Sequence, residues 1–406
     1  MKNDGSQAGI MPFNFHLGAK LLVVTSGPLA AIAIIGITSV LPQIAEALEP
    51  GPRTMMTKQL VGIVGLAMAV GSPLAGWLLG RLSPRLFLLG VSLLYVFAGT
   101  AGLYVSDIVV LLVSRFFVGL ASAGFVIMTI SIINTRLEGA DRAKWMGIQV
   151  GLAMVSSLAI HPIAGGLGEL GWRLPFLLFL LGLPLVVVAL LQMENRVQPR
   201  REEPAPKAAA GRMLSWYPWR FAALALLIGS TTYLPVVYAP FLMREMGVNS
   251  PTLIGLVLTG DSILGALFAL AYGRSRRWFN SPQTFVFSFA FTGAGALMAA
   301  LAPSLMLVIV GLLVFGIGMG WLVPNLVTSL ATYVSADQQA PAAGLTKAFH
   351  YVASPACILV IEPIAAIYGP QSAMWAVALI SASMLVLYGS RAVMGSGAIA
   401  LKRERA

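Results

Sequence analysis

The sequence predicts an all-α membrane protein, twelve transmembrane helices arranged as two similar six-helix bundles. Three observations predict it. Of the 406 residues, 58% are hydrophobic and only 10% are charged, and the mean hydropathy is +0.86, which lies outside the soluble globular range. The apolar residues form continuous runs of roughly 20, the length that crosses a ~30 Å hydrocarbon core as a helix and lacks the alternation of a barrel strand. A charged stretch rich in Pro and Ala, ENRVQPRREEPAPKAAAGRMLSWYPWR at 194–220, parts these runs six and six. Such a segment cannot bury enough apolar surface to offset its ordering, so it reads as a linker.

The first bundle carries spans at 20–45, 57–80, 86–105, 108–134, 143–168 and 174–193. The second carries spans at 217–243, 251–273, 283–302, 304–334, 341–368 and 371–391. The division is thus a cytoplasmic N-terminal segment 1–19, a bundle 20–193, a cytoplasmic linker 194–216, a bundle 217–391 and a cytoplasmic tail 392–406. The polar start, MKNDGSQAGIMPFNFHLGAK, leads into an apolar run with no small-residue cleavage site after it, so a retained first helix is expected.

The charges set the orientation. With the N-terminus inside, 21 of the 26 Lys and Arg fall on one side; only Arg53, Lys58, Arg173 and Arg244 fall on the other, and Arg115 lies within a span. This positive-inside bias places both termini in the cytoplasm and accounts for the net charge of +11 with no nucleic-acid partner. An inner (plasma) membrane location follows. The lone Cys357 excludes a disulfide framework, a Cys-based zinc site and an iron–sulfur cluster. Eighteen methionines raise Cu(I) transport, but they are scattered, with no Cys–Met or His–Met cluster, so apolar filling is the better reading and no metal is expected. No GxSxG, HExxH or P-loop spacing occurs, so neither hydrolysis nor ATP-driven pumping has its usual signature, and no enzyme activity or cofactor is expected.

The halves echo each other. GWLLGRLSPR (76–85) is answered by AYGRSRR (271–277), VGLASAG (118–124) by FGIGMG (315–320), and GADRAKWMG (139–147) by SADQQAPAAG (335–344). Two alike halves about an axis along the membrane normal are a transporter layout. Small residues four apart, Gly76/Gly80, Gly119/Ala123, Gly147/Gly151 and Gly316/Gly320, allow close helix approach. Pro28, Pro73, Pro162, Pro235, Pro240, Pro324, Pro355 and Pro363 fall in spans or at their ends, where each removes a backbone hydrogen bond and permits bending.

These segments resemble the major facilitator superfamily over the whole chain. Gly76, Arg81 and Arg85 match its signature between helices 2 and 3, although Gly80 replaces the acid there and Pro84 a glycine. SRFFVG (114–119) is similar to the helix 4 signature, with Arg115 and Gly119 in place. LAIHPIAGG (158–166) resembles an exporter signature through Pro162, Gly165 and Gly166, with His161 where a glycine is usual. The resemblance implies gating or structural roles for these residues and for Asp141 and Arg142 in the loop at 139–147.

An ionisable group inside a span costs several kcal/mol unless paired or wetted, so each is a candidate site. Asp261, in LTGDSILG, lies ten residues past Pro251 and so ~15 Å along its helix, mid-membrane. It fits a proton carrier or a helix–helix contact, the latter with Arg115 as partner. Glu362, in LVIEPIA, lies nearer the outer surface and fits a second proton site, a cation-contacting group or a solvated interfacial carboxylate. Arg115 fits a charge partner or a proton relay. His161 and His350 occupy corresponding spans and fit either proton relay or neutral hydrogen bonding.

By the resemblance, the substrate path runs between the halves along spans 1, 4, 7 and 10, which carry Thr38, Ser39, Thr129, Asn134, Thr232, Tyr233, Tyr238, Trp321, Asn325 and Thr328. An apolar, aromatic path with scattered hydroxyls and amides suits an amphipathic small molecule. A proton-coupled exporter of such compounds, drugs or metabolites, working by alternating access, is expected. The alternative is a proton symporter importing a small organic solute. The expected partners are that solute and the lipid bilayer, with the chain as a monomer.

Overall fold

The computed structural model describes residues 17–51, 54–193, 216–334 and 338–404. Residues 194–215 of the expected 194–216 linker, the first 16 residues, 52–53, 335–337 and the last two lie outside them. Among the described residues there are helices and no strands. Twelve are long and apolar enough to cross a membrane: α1 (Leu17–Leu48), α2 (Met55–Leu79), α3 (Pro84–Leu103), α4 (Ile108–Arg136), α5 (Gly139–Leu170), α6 (Leu174–Gln192), α7 (Pro218–Glu245), α8 (Pro251–Ser275), α9 (Ser281–Ala300), α10 (Leu305–Tyr333), α11 (Pro341–Tyr368) and α12 (Gln371–Ser390). The last helix runs on to Glu404, so the expected tail begins as a continuation of α12.

Local chemistry fixes the helix starts. Ser83, Asp107, Ser250 and Asn280 cap α3, α4, α8 and α9 by accepting from backbone N–H groups, and Pro84, Pro251 and Pro282 follow three of them in the first turn, where a missing N–H costs nothing. For α2 the cap comes from a distance. Glu49 accepts from the N–H of Met56 at 3.1 Å and of Thr57 at 2.8 Å. All eight prolines named above lie inside helices. Two others reshape spans. Pro42 opens the last piece of α1 after a 3-10 turn at Thr38–Val40, and Pro175 and Pro184 accompany a long 3-10 stretch, Leu174–Gly182, that begins α6.

Each half repeats the same packing scheme. In the first, α2 packs on α4, α1 on α5, and α3 on α4 and α6; in the second, α8 packs on α10, α7 on α11, and α9 on α10 and α12. The small residues recur with it. A Cβ on Gly119 would meet Ala67 and the Val64 carbonyl of α2, and one on Gly316 would meet Asp261 of α8. A Cβ on Gly27 would fall 2.9 Å from Ala153, and one on Gly229 2.6 Å from Ala353. The first core centres on Tyr95, Phe125, Phe176 and Phe179, the second on Phe285, Phe289 and Tyr388. Val109, Val110, Val113 and Phe117 stay exposed along one face of α4, as a lipid-facing stripe would be.

The halves meet along two crossings, α2 with α11 and α5 with α8. Both are closed at the end opposite the arginine-rich loops. Gly62 and Gly65 sit against Pro355 and Tyr351; Gly165 and Gly168 sit against Pro251; Gly255 sits against the His161 carbonyl and Pro162. Arg244 grips Glu46 through two bonds of 2.8 and 2.9 Å, while Glu169 accepts from the Ser250 hydroxyl and the Thr252 N–H. Toward the arginine-rich end the same four helices carry Gly76, Gly147, Gly151, Gly273 and Gly344, and a Cβ on any of these would meet no atom of the described residues within 4 Å. The close packing expected at Gly147/Gly151 is therefore absent. Gly76 likewise meets nothing and Gly80 only its own helix, because these pairs lie where the crossings have diverged.

Candidate functional site

Asp261 lies on the side of α8 that meets α10. Gly316 makes room for it: a Cβ there would stand 2.7 Å from the carboxylate Oδ1. The side chain is half-buried, and among the described residues it has neither a hydrogen bond nor an ion pair. A carboxyl in that setting can take up and release a proton without first breaking a protein contact.

Arg115 is fully buried within the other bundle. Its Nε donates to the Leu60 carbonyl of α2 at 3.1 Å and its Nη2 to the Ala33 carbonyl of α1; Nη1 has no partner among the described residues, and the guanidinium lies 5.2 Å from the centre of the Phe179 ring. An Arg115–Asp261 pair is not formed. Arg115 is held by α1, α2 and α6 of its own half, while Asp261 packs within the opposite half.

Glu362 does not face solvent. It is 2% exposed and takes Lys58 Nζ at 2.6 Å, the Tyr238 hydroxyl at 2.9 Å and the Thr54 N–H at 3.0 Å. Lys58, assigned from the sequence to the outer loop, is 4% exposed and forms a buried ion pair between the halves. Sequence reasoning did not single out Lys58 as a candidate site residue. A signal existed, since residue 58 falls inside a span that opens at 57, so a charge counted only toward the orientation also sits within a helix.

The histidines stay within their own bundles. His161 Nδ1 lies 3.3 Å from Thr38 Oγ1, joining α5 to α1, and the His350 ring packs 5.6 Å from the Tyr233 ring, joining α11 to α7. The expected path residues separate into two groups. Thr129 is buried with an unpartnered hydroxyl, as is Ser39; Thr232 is half-buried and bonded to the Ile228 carbonyl; Asn134 is exposed. Tyr238 belongs to the Glu362 cluster. Trp321, Asn325 and Thr328 turn toward α8 and α9, where Trp321 donates to the Phe268 carbonyl, and Tyr272 bonds both Asn325 and Thr328. Their polar atoms are spent on packing inside the second bundle.

Of the motif residues, Gly119 and Gly165 stand at close helix crossings and Pro162 beside one, while Gly166 meets nothing. Arg81 stacks on Trp77 at 3.9 Å, and Arg81, Asp141 and Arg142 are exposed, with Arg85 half-exposed. Among the described residues no three of His, Cys, Asp and Glu gather to hold a metal ion.

The comparisons agree on the fold. The chain resembles the nucleoside transporter NupG (15% identity, 92% of this chain and 99% of that one, TM-score 0.70). It resembles a D-xylose–proton symporter (12% identity, 91% and 96%, TM-score 0.72) and a bacterial homolog of the human lysosomal transporter Spinster in an inward-facing, occupied conformation (18% identity, 93% and 96%, TM-score 0.67). No curated protein matches the sequence significantly. The model of the Major Facilitator Superfamily matches residues 23–249 and 221–398. Two six-helix halves with a shared packing scheme and a family match across both lead to one assignment: the chain belongs to the major facilitator superfamily and is a multi-pass membrane transporter of the secondary type.

Proposed function

We propose that this transporter exports amphipathic small molecules, drugs or metabolites, in exchange for protons, by alternating access. The observation that carries the reading is the half-buried, unpartnered carboxyl of Asp261, mid-way along α8 and against α10, a helix expected to line the path. A carboxyl held there binds a proton in one state and yields it in the other if its surroundings change as the halves rock. Arg115, His161 and His350 take charge-partner or relay roles around it, and Glu362 that of a cation-contacting group. The buried, unpartnered hydroxyls of Ser39 and Thr129 offer the few polar contacts an amphipathic solute needs.

The arginine-rich end is the cytoplasmic side of an inner membrane, with both termini there, and the chain acts as a monomer powered by the proton gradient with no cofactor. The described state is then closed to the outside.

Reconstituted vesicles test the reading with an amphipathic fluorescent dye and an imposed pH gradient. Asp261→Asn is expected to lose gradient-driven accumulation at least tenfold, about 1.4 kcal/mol of coupling, yet to keep counterflow down a dye gradient. Undiminished gradient-driven transport in Asp261→Asn removes the proton role. Co-directional movement of dye and protons replaces export by symport.

A further inference from the structure

The Glu362 cluster joins the two halves at the end where they are closed. Thr54 and Lys58 stand at the start of α2, whereas Tyr238 and Glu362 come from α7 and α11. The Lys58 ammonium also lies 4.5 Å from the centre of the Tyr238 ring and 4.7 Å from that of Phe241. Two further carboxylates, Glu49 and Glu245, are within electrostatic reach of Lys58. Glu49 is committed to capping α2, and Glu245 is exposed at the surface. A cavity of about 320 Å³ lies above, lined by Glu49, Thr54, Phe241 and Glu245, and brings solvent to within one hydrogen bond of Glu362.

A buried ion pair is a poor adhesive, because lost hydration offsets most of the attraction and an apolar pair of similar size holds as well or better. Its distinctive property is reversibility. When the halves part, both charges regain water, so closed and open states stay near in energy, which an apolar seal does not allow. The carboxylate accepts from four donors, Lys58, Tyr238, the Thr54 N–H and, at 3.4 Å, the Thr54 hydroxyl, and each of its oxygens faces one group that can only donate, the Lys58 ammonium or the Thr54 N–H.

We propose that Lys58 and Glu362 are the reversible clamp of the arginine-poor end, with Tyr238 and Thr54 positioning the carboxylate, and that Glu362 works as a fixed anion, not as a carrier of the transported proton. The clamp rests on the alternating-access reading, but its label-distance readout needs neither substrate nor proton gradient, so it fails or succeeds apart from proton coupling.

Tyr104 and Ile367 are exposed at that end on opposite halves. Spin labels at these positions in the full chain with Cys357→Ser, in lipid nanodiscs, report closure as an inter-label distance. Lys58→Met strands an anion and Glu362→Leu a cation, so each is expected to shift the closed-to-open ratio at least tenfold toward open. The double variant Lys58→Met/Glu362→Leu buries no charge; it is expected to return to closed, at or beyond the original ratio, with slower dye counterflow. Tyr238→Phe gives a smaller shift toward open. An unchanged distance distribution in both single variants overturns the clamp. If either single variant fails to fold, the double variant decides: closed with slow counterflow supports the clamp, and open overturns it. A distance that lengthens on acidification in the parent and not in Glu362→Gln overturns the fixed-anion role.

Discussion

Gly165→Leu is expected to drive the arginine-poor end open and to hold it there. A Cβ at this position would lie 2.8 Å from Thr252 Cα and closer still to the Pro251 carbonyl. These are backbone atoms at the capped start of α8, which cannot step aside as a flexible side chain would. A real Cβ does not approach so near, so α5 and α8 must separate, and the rest of the leucine widens the gap. Overpacking of this kind typically costs 1–3 kcal/mol, roughly a 5- to 150-fold change in the closed-to-open ratio. Gly65→Leu should act alike on the other crossing, where its Cβ would stand 2.6 Å from the Tyr351 carbonyl. The distance between labels at Tyr104 and Ile367 measures both. A distribution unchanged by either substitution would show that the end closes by some other surface.

Gly151→Leu should do the reverse, and with an instructive mismatch between stability and activity. Nothing lies within 4 Å of a Cβ on Gly151, so the side chain fits the described state without displacing a neighbour. Removing a glycine from a helix interior stabilises by roughly 0.5–1 kcal/mol, so thermal unfolding should shift upward. Transport should nonetheless fall at least tenfold, because α5 carries this glycine where the arginine-rich ends of the crossings must close in the opposite state. Gly147→Leu is the companion variant. Counterflow at the original rate in a folded Gly151→Leu protein would mean that this stretch of α5 never becomes an interface.

These two substitutions differ only in where along one helix they fall, and nothing in the local sequence separates them. Gly147 and Gly151 read as residues for close packing, and Gly165 as part of a signature with a gating or structural role. The structure divides them, since tightness depends on the angle at which α5 crosses α8, a property of both helices together. The same limit applies to Trp321, Asn325 and Thr328. Their span was read correctly, but the face they occupy turns toward α8 and α9, and a span apolar on every side gives its sequence no periodicity from which to tell a path-facing stripe from a bundle-facing one.

By itself the sequence determined the helix count, the span positions to within a few residues and the family. The count and the positions follow from the cost of exposing backbone polar groups to hydrocarbon, a rule that acts on every segment independently of its neighbours; the family was legible in short motifs such as the one around Arg115 and Gly119. The pairing of charges was decided only by tertiary structure. Arg115 bonds the carbonyls of α1 and α2, Asp261 has no partner among the described residues beside Gly316, and Lys58 meets Glu362 across more than three hundred residues. Which buried charge meets which is set by the relative placement of whole helices, and two residues that far apart in the chain become neighbours only once both bundles are assembled.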